Sequence, residues 1–123
     1  MKKLLLALSA LVPALGFTSA EAATLDDVKA RGSVTCGVHT GLLGYAAPDS
    51  AGRWAGFDVD YCRALAAAIF GDPEKVTFTP LSASERFTAL QGASVDLLAR
   101  ITTWTMSRDT TLGINFAAIN YYD

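Results

Sequence analysis

Three short β-prone segments, 33–38, 76–80 and 95–99, are separated by two segments of helical spacing, and this alternation constrains the chain more than any other feature of it. Residues 33–38 alternate and carry Val34 and Val38, as a strand would. In 58–70, Val59, Cys62, Leu65, Ala66 and Ile69 recur at helical spacing and form one apolar stripe. Gly71, Asp72 and Pro73 stop that helix. Ser82 and Glu85 have the S-x-x-E spacing of a capping box, predicting a further helix that runs to Gln91 with Gly92 as its stop. An opening helix is expected over 24–31, with Thr24 as its cap, Asp27 as the capping-box acid and Gly32 as its end. Strand, helix, strand, helix, strand argues for an α/β fold with a parallel βαβαβ sheet covered by helices.

The first 22 residues read as a segment outside that fold. Lys2 and Lys3 form a basic start, residues 4–17 carry no charge, and Ala20-Glu21-Ala22 is a small-x-small cleavage pattern. That order is a secretory signal peptide, and the apolar run is shorter than a membrane-spanning helix requires. Cleavage would leave a mature chain of residues 23–123. It would remove Lys2, Lys3 and Glu21 and shift the formal charge from −2 to −3, a mildly acidic surface with no basic patch for nucleic acid.

Export bears on Cys36 and Cys62, the two cysteines of the sequence. An oxidising compartment allows them to pair, and their spacing is not that of a CxxC redox or metal motif. Two separate buried thiols acting as small hydrophobes are the other reading.

In open parallel sheets, ligands bind beyond the carboxyl ends of the strands. Those ends deliver three segments, 39–45, 81–84 and 100–108. The third holds Arg100, Arg108, Thr102, Thr103, Thr105, Ser107 and Trp104. Arginine presents a planar fork to a carboxylate, and threonine hydroxyls with loop amides complete an anion's hydrogen bonds. An ordinary solvated loop has the same composition. The first segment sets Gly37, Gly41 and Gly44 around His39, with Tyr45 as a wall. A lone histidine is more often a polar loop residue than a ligand, and nothing stands at metal-ligand spacing to it. No nucleophile elbow, P-loop or dinucleotide turn is present, so neither catalysis nor a cofactor is expected. Asp58 and Asp60 could be a carboxylate pair, but their place at a helix start favours capping and dipole interaction.

GFDVD at 56–60, ERFTAL at 85–90, TTWT at 102–105, SRD at 107–109 and NYYD at 120–123 follow one another in an order and spacing that resemble solute-binding protein family 3 of ABC importers, and within it the general L-amino-acid-binding proteins. The likeness runs over 24–123. It implies a periplasmic-binding-protein-like fold of two lobes that close on one L-amino acid. It also implies residence in the periplasm of a Gram-negative bacterium, a monomeric state, and delivery to permease subunits at the inner membrane, without enzymatic activity.

Carried over residue by residue, the resemblance places the grip on the ligand α-carboxylate at Arg108, with Thr103 adding a hydroxyl. Backbone at Arg100 and Ile101 would take the ammonium, and His39 and Leu42 would form a wall. It implies that Cys36 and Cys62 are the disulfide of this subfamily. Relatives usually carry asparagine where this chain has Ile101. The family's members run to several hundred residues. The resemblance therefore implies a partial first lobe whose second lobe, hinge and returning segment are missing, and a half-clamp that binds weakly or not at all. A dehydratase-like enzyme or a sensory domain on the same scaffold are the competing functions.

Overall fold

A computed structural model describes residues 20–122 of the 123-residue chain. Residues 1–19, which hold most of the expected signal peptide, lie outside the described residues. The elements are helix α1 (Ala20–Arg31), strands β1 (Val34–His39), β2 (Ala47–Pro48) and β3 (Trp54–Ala55), helix α2 (Phe57–Phe70), strand β4 (Val76–Leu81), helix α3 (Arg86–Gln91), strand β5 (Leu97–Leu98) and helix α4 (Met106–Thr111).

The expected parallel sheet is formed, in the order β4-β1-β5. β1 pairs along its whole length with β4, from Val34 against Val76 to His39 against Leu81. Its other side pairs Cys36 with Leu97 and Gly37 with Leu98, also in parallel. The central place of β1 explains its burial, with four of six residues inaccessible. β4 is an edge strand, and this position tolerates Pro80, which has no N–H to donate to a ladder. β5 is shorter than the expected 95–99, although backbone bonds from Asp96 to Thr35 and from Ala99 to Gly37 continue the contact past the paired residues.

α2 packs its apolar stripe on β1. Val59 and Cys62 join Cys36, Val38, Ala46 and Ala99 in one buried cluster, bordered by Trp54, Phe78 and Leu97. Ala66 joins Val28 of α1 and Val34 in a second, with Leu65 and Ile69 against it. Cys36 and Cys62 are both fully buried and joined as a disulfide, with Cα atoms 6.3 Å apart. The bridge fastens α2 to the central strand. Gly71 then ends α2 in the left-handed conformation, its N–H bonded to the Ala67 carbonyl at 2.8 Å.

Several boundaries differ from the sequence expectation. α1 begins at Ala20, so Thr24 lies inside a helix and does not cap it. The run Ala20, Ala22, Ala23 has the highest helix propensity of any residue type and carries the helix upstream. Gly32 does end it, with its N–H on the Val28 carbonyl at 3.0 Å. The segment 39–53 holds half of a small antiparallel hairpin, β2 with β3, where a plain loop was expected. Ser82 and Glu85 make both bonds of the capping box, at 3.0 and 3.3 Å, but 83–85 form a turn and the helix starts at Arg86. At its far end the left-handed residue is Ala93, at φ 52°, one position beyond Gly92.

Candidate functional site

The carboxyl ends of β1, β4 and β5 meet at one end of the sheet and are tied together by Arg100. This side chain is 7% exposed and donates from Nε to the Leu81 carbonyl at 2.7 Å, so the segment after β5 is bonded to the tip of β4. The next residue, Ile101, has φ 43°. A β-branched side chain in the left-handed region is strained, on the order of 1–3 kcal/mol. The surroundings hold it there.

Asp58 is among those surroundings. Neither Asp58 nor Asp60 caps α2, contrary to the sequence expectation. Gly56 occupies the cap position without a side-chain bond, and Asp60 is exposed and 3.8 Å from Arg63. Asp58 is 3% exposed. Burial pushes its carboxyl pKa up, opposed by the Ile101 backbone N–H, His39 and Arg100, which favour the charged form. Its Oδ2 has no hydrogen-bond partner. Its place in the first turn of a helix offered a sufficient local reason for an aspartate, and this masked the tertiary one.

A cluster of guanidiniums stands beside it. Arg86, 9% exposed, opens α3, and its Nη1 is 3.5 Å from Thr102 Oγ1. The Thr102 hydroxyl donates in turn to the Arg100 carbonyl at 3.1 Å. The guanidinium carbons of Arg86 and Arg108 lie 4.7 and 5.4 Å from the centre of the Phe87 ring. Burial, then the charges of Arg100 and Arg108, push the Arg86 pKa down from the usual arginine range. Sequence reasoning did not single out Arg86. The available signal was a cation at the first position of a helix, the end where the dipole disfavours positive charge.

Arg108 sits in α4, whose cap Thr105 accepts the Arg108 N–H at 3.3 Å. Its Nη1 donates to the Thr103 carbonyl at 2.6 Å. Thr103 and Arg108 are therefore brought together. His39 Nδ1 accepts the Gly41 N–H at 3.1 Å, and Leu42 bridges to Ala46 across the turn that follows β1. Tyr45 packs edge-on against Phe57 and Tyr121.

A cavity of about 230 Å³ opens next to this end of the sheet. Asp58, Arg100, Ile101 and Thr102 line one part of it, and the rest follows the outer edge of β5 under Ile114 and Phe116. Arg100 and Ile101 thus reach it. His39, Leu42, Thr103 and Arg108 stand outside its walls. Among the described residues no cluster of His, Cys, Asp and Glu could hold a metal ion, and no helix is long and apolar enough to cross a membrane.

The profile of the bacterial extracellular solute-binding proteins, family 3, matches residues 34–118, from the first residue of β1 to beyond α4. The chain belongs to that family. It is 60% identical over 122 residues to the general L-amino acid-binding periplasmic protein AapJ of Rhizobium johnstonii, covering 99% of this chain and 36% of that one. It is 54% identical over 123 residues to the glutamate/glutamine/aspartate/asparagine-binding protein BztA of Rhodobacter capsulatus, covering 100% and 36%. A periplasmic binding protein from Brucella ovis, solved with glutathione bound, superposes with a TM-score of 0.78 at 69% identity over 80% of this chain and 30% of that one. The chain spans about a third of the length of the relatives it matches, and the periplasmic-binding-protein fold is that of its structural neighbours.

Proposed function

We propose that this chain is the carboxylate-gripping part of a periplasmic protein that captures L-amino acids for an ABC importer. The observation that carries the reading is the gathering of Arg86, Arg100 and Arg108 at the carboxyl ends of a parallel sheet, with Arg86 and Arg108 against one Phe87 ring and Thr102 between Arg86 and Arg100. Anionic ligands belong at such a place by topology and by charge. The names of the relatives supply the ligand class, amino acids, and the compartment, the periplasm.

In this reading Arg108 and Thr103 hold the α-carboxylate. The backbone at Arg100 and Ile101 faces the ammonium, and His39 and Leu42 close one wall. An ammonium donates to backbone carbonyls, a contact that does not depend on the side chain at this position. The Ile101 side chain instead adds apolar surface to the cavity. The role is binding and not catalysis. The partners are permease subunits at the inner membrane, the protein acts as a monomer, and residues 1–22 direct its export.

The test is a titration of the chain with L-amino acids followed by amide NMR, which registers binding even in the millimolar range expected of half a clamp. Shifts that saturate and cluster at 100–108 support the reading, and Arg108→Gln should abolish them. Removing one partner of a desolvated charge pair commonly costs about 2–5 kcal/mol. Unchanged titration of the variant, or no saturable shift in the parent chain, refutes it.

A further inference from the structure

Asp58 is buried more deeply than an acid at a helix end needs to be. Its residue is 3% exposed, and Oδ2 has no hydrogen-bond partner. It does not cap α2, where Gly56 holds the cap position without a side-chain bond. It stands instead in the wall of the cavity, together with Arg100 and Ile101. A buried acid is costly unless its charge is engaged. What engages it is backbone, because a hydrogen bond from the Ile101 N–H favours its charged form. Ile101 is also the residue held at φ 43°. A β-branched residue leaves the left-handed region unless its surroundings keep it there. A bond to a carboxylate is stronger than one to a neutral acceptor and is comparable to that strain. On the other side the same segment is anchored by Arg100, whose Nε donates to the Leu81 carbonyl. The turn after β5 is thus fixed at two points.

We infer that Asp58 is a positioning residue for ligand capture: its buried carboxylate holds the left-handed turn at Ile101 and so sets the Arg100 and Ile101 backbone that receives the ligand's ammonium. The inference rests on the amino-acid-capture reading and adds to it a residue that acts on the ligand only through backbone. Capture then depends on the ionisation of Asp58. His39 at the end of β1 and Arg100 after β5 favour its charge, while burial opposes it and raises its pKa. Tyr61 of α2 and Asp96 share the cavity wall, and Arg86 of α3 acts on Arg100. The sign is opposite to that for stability. Charging Asp58 as pH rises lowers the stability of the folded chain, and the same charge sets the turn for the ligand.

The experiment follows the amides of the chain by NMR, free and titrated with L-glutamine, whose own charges do not change between about pH 4.5 and 7. In the free chain the Ile101 amide signal should move with pH in a step that Asp58→Asn removes. Affinity of the parent should fall toward the acid end of that range. His39→Gln, which removes the histidine that gains charge there, should leave that fall in place. At neutral pH Asp58→Asn should weaken binding about fivefold, as an isosteric exchange of a charged acceptor for a neutral one. Ile101→Asn supplies the control, because asparagine adopts the left-handed conformation with little strain. In that background Asp58→Asn should weaken binding by less than about twofold. An Ile101 amide signal that ignores Asp58→Asn overturns the inference. So does a loss of affinity by the same factor in both backgrounds, the result of an aspartate that serves the fold alone. Equal affinities of the parent and Asp58→Asn overturn it too, while leaving amino-acid capture intact. Failure of Arg108→Gln to weaken L-glutamine binding would instead remove the reading on which the inference rests.

Discussion

The disulfide makes the most direct physical prediction. Cys36 lies at the middle of the central strand and Cys62 on the buried stripe of α2, 26 residues apart. What they enclose includes a turn and a hairpin of two-residue strands. In the chain-entropy relation, a closed loop of 26 residues removes about 3.5 kcal/mol of denatured-state freedom. With a urea dependence of about 1.5 kcal/mol per molar for a domain of this size, the midpoint should fall by roughly 2 M on reduction. Unfolding followed by circular dichroism, with and without reductant, measures this without altering a side chain. The double variant Cys36→Ala, Cys62→Ala should lose somewhat more, because both sulfurs fill a fully buried cluster. A shift smaller than about 0.5 kcal/mol would refute the reasoning, as being within the ordinary scatter of a surface change. Two titratable thiols in the oxidised, denatured protein would refute the bridge itself.

Three further outcomes follow from local geometry. At Gly56, φ is +125°, and an added Cβ would lie 3.1 Å from the Ala46 amide nitrogen and closer still to the Tyr45 carbonyl. Gly56→Ala should therefore cost about 3 kcal/mol or more in a urea titration, and near-parent stability would contradict the geometry. At Ala93, φ is 52°, so Ala93→Gly should stabilise by about 0.5–1 kcal/mol, the left-handed strain relieved less the added chain freedom; a loss of stability would count against it. Burial raises the Asp58 carboxyl pKa above its ordinary 3.8, so the folded state holds this proton more tightly than the unfolded state does. Its contribution to stability must then fall as pH rises from the ordinary carboxylate range through the raised pKa. Asp58→Asn should remove that downward slope, and parallel pH profiles for the two proteins would show that the carboxyl is not perturbed.

What was legible in the sequence was whatever local chemistry decides. Gly71 ended α2, and Ser82 with Glu85 formed a capping box, because these signals act over one turn of chain. The apolar stripe from Val59 to Ile69 needed nothing beyond its period to find β1. The hairpin was not legible for the corresponding reason. Two-residue strands have too few side chains to show a period of two, and Pro48 argues against a strand. What makes the turn is Asp49, whose Oδ1 accepts the N–H of both Ala51 and Arg53 at 2.8 Å, and this pattern is readable only once the turn is suspected. β5 was read as longer than its ladder because the apolar run extends to Val95 and Ala99, both buried, and only Leu97 and Leu98 are paired while Asp96 and Ala99 each add a single backbone bond to β1.

The site divides along the same line. Arg100, Thr103 and Arg108 stood out as candidates because hydroxyls and guanidiniums are crowded into one segment after a strand, and of these Arg100 lines the cavity while Thr103 and Arg108 stand outside its walls. Asp58 and Arg86 could not, because the same residue types are ordinary at helix ends and only depth distinguishes them. Asp58 sits where a helix dipole welcomes an acid, yet its buried oxygen and its action on Ile101 and Arg100 belong to the strand tips. Arg86 sits where the dipole disfavours a cation, and the fold buries it nevertheless. A charge placed against its local preference and away from water must be offset by something outside its own helix. For Asp58 part of that offset is present in the Ile101 amide and the Arg100 guanidinium. For Arg86 the described residues supply a ring and one long hydroxyl contact.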